Sequence, residues 1–154
     1  MNMENLNNEP KIIDGGVAVD DRGQLTFAND FNFSGVKRFY MVENFSANTI
    51  RAFHGHAKEA KYVLIVSGSA IVAAVKVADF SNPDKSEKLN RFVLSSRKPS
   101  LLFIPPGYAN GFKPLEKDTK IIFFSTSSLE ESKGDDYRFP ADYWGKEVWE
   151  VENR

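Results

Sequence analysis

The sequence predicts a single all-β domain built as a barrel or sandwich of short strands. Its length of 154 residues is in the usual range for one domain, and 42% hydrophobic residues suffice for a buried core. Short β-rich runs recur along the chain with turn signals between them, a spacing typical of β-barrels and β-sandwiches. No long segment shows the apolar period of an amphipathic helix.

Nine runs rich in β-branched and aromatic residues predict the strands. They are residues 12–19, 24–28, 36–42, 49–53, 62–66, 70–78, 89–94, 101–104 and 120–125. The separating segments carry turn residues, for example Asp21-Arg22-Gly23 and Pro105-Pro106-Gly107. Residues 61–75, KYVLIVSGSAIVAAV, predict two buried strands folded as a hairpin over a tight Ser67-Gly68 turn at the centre of the barrel.

The two ends of the chain differ from this pattern. Residues 1–10 are polar and show no apolar period, so we expect a flexible lead-in before a barrel over residues 11–127. Residues 128–154 are charged, with irregularly spaced aromatics, and predict a C-terminal packing segment or lid. No second domain and no repeat is indicated.

Composition excludes several classes of function. Twenty basic and twenty-one acidic residues nearly cancel, so no overall field draws the chain to nucleic acid or to a membrane surface. The absence of cysteine excludes disulfides, thiolate metal sites and a cysteine nucleophile. With no signal-peptide pattern and no apolar run of membrane-spanning length, we expect a cytoplasmic protein.

The chain's two histidines lie together in RAFHGH, residues 51–56. Alternate positions on a strand point to one face, so His54 and His56 are expected to enter one cavity. Arg51 precedes them, and Lys61 opens an apolar strand, where a charge is costly unless it faces a cavity. The alternative is a pair of solvated histidines at a strand end.

These residues resemble the two motifs of the cupin family. The resemblance implies a double-stranded β-helix, the cupin jelly-roll barrel. The matching positions are His54, His56, Lys61 and Gly68 in the first motif, and Pro105, Gly107 and Asn110 in the second.

In metal-binding cupins the corresponding positions supply three histidines and one glutamate, which suit a divalent cation. This chain has Lys61 in place of the glutamate and Asn110 in place of the third histidine. A fixed ammonium repels a cation, so we predict no catalytic metal and no other cofactor.

Three segments narrow the resemblance to nucleotide-sugar cupins, over residues 19–144. Asp21-Arg22-Gly23, the Arg51 to His56 segment with its following lysine, and IPPGYANGF (residues 104–112) are similar to rhamnose-pathway 3,5-epimerases. The resemblance implies a nucleoside-diphosphate 4-keto-6-deoxyhexose as substrate and a role in the biosynthesis of bacterial surface polysaccharides.

Departures from the epimerases favour a sister group. Phe123 aligns with their tyrosine acid and cannot donate a proton, and Asn110 replaces a histidine. The 3,4-ketoisomerases of amino-sugar pathways resemble the chain at VKRFY, residues 36–40, which aligns Tyr40 with a tyrosine of the active site. Tyr40 could supply the missing acid. The alternative is a tyrosine packed in the core.

The resulting hypothesis is proton abstraction next to a ketone by His54 or His56. Lys61 and Asn110 would stabilise the oxyanion, and Tyr40 would return the proton. The residues expected to bind the substrate diphosphate are Arg22, Arg38 and Arg51.

Two rival functions are a non-catalytic nucleotide-sugar-binding cupin and, disfavoured by Lys61, a metal-dependent cupin enzyme. Exposed edge strands and the resemblance together predict a homodimer.

Overall fold

The computed structural model describes residues 8–154, so most of the predicted lead-in, residues 1–7, lies outside the described residues. Within that part the chain is nearly all β. The strands are β1 Lys11–Asp14, β2 Gly16–Asp20, β3 Gly23–Phe27, β4 Arg38–Glu43, β5 Arg51–His56, β6 Lys61–Ser67, β7 Ser69–Lys76, β8 Asn90–Ser95, β9 Ser100–Ile104, β10 Tyr108–Pro114, β11 Lys120–Ser125 and β12 Tyr137–Arg138. A short helix, α1 (Leu129–Lys133), and a 3₁₀ helix, Lys146–Trp149, complete the fold.

Two five-stranded antiparallel sheets form the barrel. The first has the strand order β1-β9-β6-β11-β4, and the second has the order β12-β5-β10-β7-β8. Strands β2 and β3 pair only with each other, as a separate hairpin. This is the all-β architecture that the sequence predicts.

The main core lies between the two sheets, where inward side chains from both meet. Strand β4 shows the alternation clearly, because Arg38, Tyr40 and Val42 are more buried than the residues between them. The buried members of this core are Val63, Ile65, Ala70, Val72, Ala74, Leu94, Leu102, Ile104, Tyr108, Phe112, Ile121 and Phe123.

The predicted hairpin over Ser67-Gly68 is wrong. Strand β6 pairs with β9 and β11, whereas β7 pairs with β8 and β10, so the turn carries the chain from one sheet to the other. Gly68 has φ +81°, and a Cβ there would lie 2.3 Å from Thr119 Oγ1. The two apolar segments therefore meet through side chains across the core.

Two other strand predictions need correction. The run 12–19 is two strands, because the chain breaks at Gly15, whose N–H donates to the carbonyl of Pro99. Strand β10 was missed because its sequence, YANGFKP, contains residues that are rare in strands. Pairing with β5 on one side and β7 on the other overrides that local preference.

A second apolar cluster lies on the outer face of the second sheet. The C-terminal residues Trp144, Val148 and Trp149 pack there against β5 and β7. Strand β7 is consequently buried over seven of its eight residues, on both faces. The helix of this segment, α1, has five residues, and no helix within residues 8–154 is long and apolar enough to cross a membrane.

Replacement of Trp149 tests this covering segment. Its side chain is 2% exposed, packs on Phe53 and donates its indole N–H to the carbonyl of Ala141. We expect Trp149→Ala to lower the free energy of unfolding by about 3 to 5 kcal/mol. Urea denaturation measures this, with the exposed Val151→Ala as a matched control that should change little. Equal stabilities of the two variants would contradict the assigned packing.

Candidate active site

A cavity of about 150 Å³ brings together residues from five strands of the two sheets. Five of the predicted site residues line it, and three apolar side chains complete the wall. The lining residues are Tyr40, Val42, Arg51, His54, Lys61, Asn110, Phe112 and Phe123.

An irregularity in β5 explains why Arg51 and His54 share this cavity. Residues three apart on a regular strand face opposite sides of the sheet. Asn110 of β10 pairs with His54, but Phe112, two residues on, pairs with Arg51, so β5 carries one extra residue at this point. Such a bulge re-aims side chains, and here it turns Arg51 and His54 to one side.

The close contact of β5 with β10 also restricts position 111. A Cβ on Gly111 would lie 2.3 Å from the Cβ of Ala52 and 2.9 Å from the carbonyl oxygen of Arg51. A larger residue would push β5 away and displace the neighbouring Asn110 and His54.

Lys61 is a buried cation without an acidic partner. Its side chain is 6% exposed, and no acidic group within residues 8–154 forms a salt bridge with it. Its Nζ lies 5.8 Å from the ring centre of Tyr40 and 5.7 Å from that of Phe123. The two rings give the ammonium a weak cation–π environment, which leaves its charge available to an anionic group in the cavity.

Tyr40 and Phe123 form one face of the cavity. They are direct partners in the pairing of β4 with β11, and their rings stack with centres 5.2 Å apart and planes at 11°. Phe123 cannot exchange a proton, so Tyr40 brings the phenol to this wall.

The two histidines have different surroundings. His54 lines the cavity opposite Asn110, whereas His56 is 7% exposed and is not among the lining residues. The Nδ1 atom of His56 lies 2.6 Å from the carbonyl oxygen of Asp135. The expectation that both imidazoles enter one cavity therefore holds for His54 alone.

Both imidazoles are held in the neutral form. Burial lowers the pKa of His54, and the charges of Lys61 and Arg138 lower it further. Burial and Lys61 also lower the pKa of His56, against opposing contributions from Glu59 and Asp135. A neutral imidazole at pH 7 is able to accept a proton.

Of the three predicted diphosphate ligands, only Arg51 lines the cavity. Its Nε donates to Asn44 Oδ1 at 2.6 Å. Arg38 donates to Ser127 O and Ser132 Oγ, at 3.2 and 3.0 Å. Arg22 lies in the exposed turn of the β2–β3 hairpin and pairs with Asp20.

Asp135 is an important residue that the sequence reasoning missed. Its carboxylate accepts the backbone N–H groups of Ala57, Lys58 and Glu59 at 2.7, 2.9 and 3.1 Å. These bonds fix the turn from β5 to β6, and therefore the relative positions of His56 and Lys61. No local pattern links residues 76 to 78 positions apart, so spacing could not reveal them.

Arg138 and Glu59 were also missed. Arg138 pairs with His54 across β12 and β5, and its charge acts on that imidazole. Glu59 is a buried carboxylate just before the apolar strand β6. A charged residue next to an apolar strand was the one feature of the sequence that could have indicated its role.

The donor set does not suit the divalent metal that many cupins bind. Within residues 8–154 no group of three or more His, Cys, Asp or Glu side chains could hold a metal ion. In the cavity wall, His54 is accompanied by Lys61 and Asn110. These residues supply an ammonium and an amide, whereas a divalent metal site needs carboxylate or imidazole ligands. The absence of a catalytic metal stays a prediction from these residues.

Residues 8–140 match the family model described as dTDP-4-dehydrorhamnose 3,5-epimerase. The chain belongs to this family. The match covers β1 to β12 and includes every residue of the cavity wall. It confirms the resemblance to nucleotide-sugar cupins that the motifs indicate.

Known relatives agree with this assignment. The spore coat polysaccharide biosynthesis protein SpsL of Bacillus subtilis is 31% identical over 94 residues, which span 60% of this chain and 61% of that relative's length. The RmlC epimerase of Mycobacterium tuberculosis superposes with a TM-score of 0.71 at 17% identity, covering 88% of this chain and 71% of that one.

A ketoisomerase has the same fold. QdtA, a sugar 3,4-ketoisomerase from Thermoanaerobacterium thermosaccharolyticum, gives a TM-score of 0.65 at 18% identity, covering 89% of this chain and 93% of that one. At these identities the two structural similarities establish the fold, and they confirm the cupin jelly roll.

The neutral histidines give a testable pH dependence. Because both folded-state pKa values are lowered, the unfolded chain binds more protons below the ordinary imidazole pKa of 6.5. The histidine contribution to stability is fully present above pH 6.5 and is lost as the pH falls towards the lowered values. We expect the free energy of unfolding to decline over this window in denaturant titrations.

Carboxylates act in a separate, more acidic window. Hydrogen bonds from Arg97 and Lys37 lower the pKa values of Glu116 and Glu131 to about 2. The contribution of these carboxylates to stability is therefore lost only as the pH falls below 4.5. Replacing His54 and His56 by Gln should therefore flatten the curve near pH 6 and leave the acidic limb intact. An unchanged slope near pH 6 would contradict the lowered pKa values.

Proposed function

We propose that the protein catalyses the metal-free isomerisation or epimerisation of a nucleoside-diphosphate 4-keto-6-deoxyhexose. The observation that carries the proposal is the cavity in which the neutral His54 meets the buried ammonium of Lys61 and the ring of Tyr40. Membership of the family and the polysaccharide role named for SpsL support this substrate class.

His54 is the proposed base. The hydrogen on the carbon next to the ketone is acidic, and its removal sends the electron pair of the C–H bond onto the carbonyl oxygen as an enolate. His54 lines the cavity with a lowered pKa, so it is ready to accept this proton. Positioned acid-base catalysis of this kind contributes roughly 100- to 10,000-fold.

Lys61 and Asn110 are the proposed enolate stabilisers. The ammonium of Lys61 is oriented before reaction and has no salt-bridge partner within residues 8–154, so it can pair with the new oxyanion at little reorganisation cost. The amide of Asn110 can donate a second hydrogen bond. A poorly hydrated cavity strengthens both interactions.

Tyr40 is the proposed proton donor. Returning the proton to the original carbon from the opposite face would give an epimer. Protonating the former carbonyl carbon, with loss of the neighbouring hydroxyl proton, would give the shifted ketone. The phenylalanine at position 123 and the stacked Tyr40 favour the ketone shift, since the tyrosine expected of the epimerases is missing there.

Binding of the substrate diphosphate is assigned first to Arg51, which lines the cavity. Arg38 would have to release Ser127 and Ser132 to take part, and Arg22 would have to approach from the β2–β3 hairpin. Diphosphate binding by Arg38 and by Arg22 stays a proposal. A cytoplasmic location, where nucleotide sugars are made, is proposed with them.

Solvent exchange tests the chemistry directly. We expect incubation with dTDP-4-keto-6-deoxyglucose in deuterated water to incorporate deuterium next to the ketone, as seen by mass spectrometry and proton NMR. Saturable binding without exchange, for this and other nucleoside diphosphates, would identify a non-catalytic binding protein and overturn the enzyme proposal.

Matched variants assign the roles within the cavity. We expect His54→Asn to abolish exchange while dTDP binding, measured by calorimetry, persists. Lys61→Met should lower the exchange rate by roughly 100-fold or more, because it removes a preorganised charge. Tyr40→Phe should retain exchange and slow the formation of the isomerised product, because the proposed proton donor is missing. Full activity of His54→Asn would show that His54 is not the base.

A homodimer is proposed from the exposed apolar surface. Strand β4 is the edge of the first sheet and exposes Phe39 and Met41, at 65% and 55%. The β2–β3 hairpin exposes Val19 and Leu25, and a two-stranded hairpin alone is at best marginally stable. A second copy covering both would satisfy the edge strand and the hairpin together.

Light scattering after size exclusion checks this assembly. We expect the unmodified chain to elute as a dimer and the double variant Phe39→Glu/Met41→Glu as a monomer. Val93→Glu, at an equally exposed apolar position on the other sheet, serves as the control and should stay dimeric. A monomeric unmodified chain would refute the proposal.

A further inference from the structure

Glu59 is a buried carboxylate that the proposed mechanism does not use. Its residue is 2% exposed, and its Oε1 accepts hydrogen bonds from the hydroxyls of Ser125 and Ser132, the latter at 2.7 Å. Arg38 Nη2 lies 3.5 Å from the same oxygen. Burying a carboxylate is costly unless it is paired and hydrogen-bonded, and Oε1 has these partners.

The other oxygen of Glu59 faces His56. Oε2 lies 3.1 Å from His56 Nδ1 and makes no hydrogen bond within the described residues. Nδ1 donates instead to the carbonyl of Asp135 at 2.6 Å. One imidazole nitrogen is thus flanked by a backbone carbonyl oxygen and a side-chain carboxyl oxygen.

This arrangement determines the tautomer of His56. A carbonyl oxygen can only accept, so Nδ1 must carry the proton and Nε2 of the neutral ring must be an acceptor. Nε2 is buried and has no hydrogen-bond partner among residues 8–154. The ring is therefore held with an unused acceptor nitrogen in the interior, two residues from His54.

We propose that Glu59 is a positioning residue that, together with the carbonyl of Asp135, keeps His56 in this tautomer and offsets the positive charge of the ring whenever Nε2 takes up a proton. The proposal rests on the proposed function, because His56 affects the reaction through the neighbouring base His54, whose pKa the charge of His56 helps to lower. The carboxylate acts through the imidazole and does not touch the substrate.

Several charges surround His56, and they act in opposite directions. Lys61 from β6 disfavours the protonated ring, and so does burial, while Glu59 and Asp135 favour it. His54 and Arg51 are the other titratable groups on the same strand. Removing the Glu59 charge leaves Lys61 and burial with less opposition, so the His56 pKa should fall further.

The substitution Glu59→Gln separates charge from shape. The amide oxygen can still accept from Ser125 and Ser132, but an NH₂ group then faces the N–H of His56, and two donors repel each other. We expect kcat for isomerisation to fall about 10-fold or more while KM stays within a factor of about two. Glu130→Gln on α1, whose carboxylate is exposed, is the matched control and should change neither constant.

Nitrogen NMR of the imidazoles gives a readout that does not depend on turnover. With two histidines in the chain, the spectrum contains two rings to assign. In the unmodified protein we expect the His56 signals of a Nδ1–H tautomer; in Glu59→Gln we expect tautomer mixing and a titration midpoint at lower pH. A Nε2–H tautomer in the unmodified protein, or an unchanged His56 in the variant, overturns the proposal.

Ser132→Ala covers the case in which Glu59→Gln fails to fold. It removes one hydroxyl donor from the Glu59 carboxylate and should alter the His56 titration in a graded way, without deleting the charge. No change in the Ser132→Ala titration, with an unfolded Glu59→Gln, counts against the proposal. If solvent exchange fails while the NMR result holds, the proposed function is wrong and the link between Glu59 and His56 stands.

Discussion

The pairing of β5 with β10 is the constraint on which the site depends. The extra residue in β5 places Arg51 and His54 on one side of the sheet, and the facing glycine at 111 lets the two backbones approach closely. The same pairing sets Asn110 opposite His54. A regular strand would leave either Arg51 or His54 outside the cavity, so the irregularity in β5 brings the guanidinium and the imidazole together.

A balance of charges follows from that placement. Lys61 has no salt-bridge partner within the described chain. Burial, and after it the charge of Lys61, lowers the pKa of both imidazoles. One buried carboxylate, Glu59, stands behind His56 and away from the cavity wall. The cavity is therefore cationic and the structure behind it anionic, which suits a reaction that generates negative charge on a substrate oxygen.

The sequence predicted the parts of the site that local patterns encode. His54, Lys61 and Asn110 lie in short motifs, and the VKRFY segment pointed to Tyr40, which lines the cavity. The family resemblance was confirmed, and with it the jelly-roll fold.

The sequence predictions that were wrong or missing concern features that depend on contacts between distant segments. Residues 61–75 were predicted to form a hairpin. Two consecutive apolar strands have the same sequence pattern whether they pair through backbone hydrogen bonds or lie in different sheets and pack through their side chains. Strand β10 looked like a turn until its two neighbours paired with it. His56 was expected in the cavity, and only Asp135, 79 residues later, shows why its ring is held elsewhere.

Asp135 also has a consequence for synthesis. A chain emerging from the ribosome begins to fold from its N-terminal side. His54 and His56 are synthesised well before Asp135, which secures the turn at residues 57–59. The barrel strands through β11 can be complete while that turn still has three unsatisfied N–H groups and His56 lacks its acceptor. The turn that positions His56 and Lys61 is therefore secured only after the segment beyond β11 has been made and has docked on the barrel.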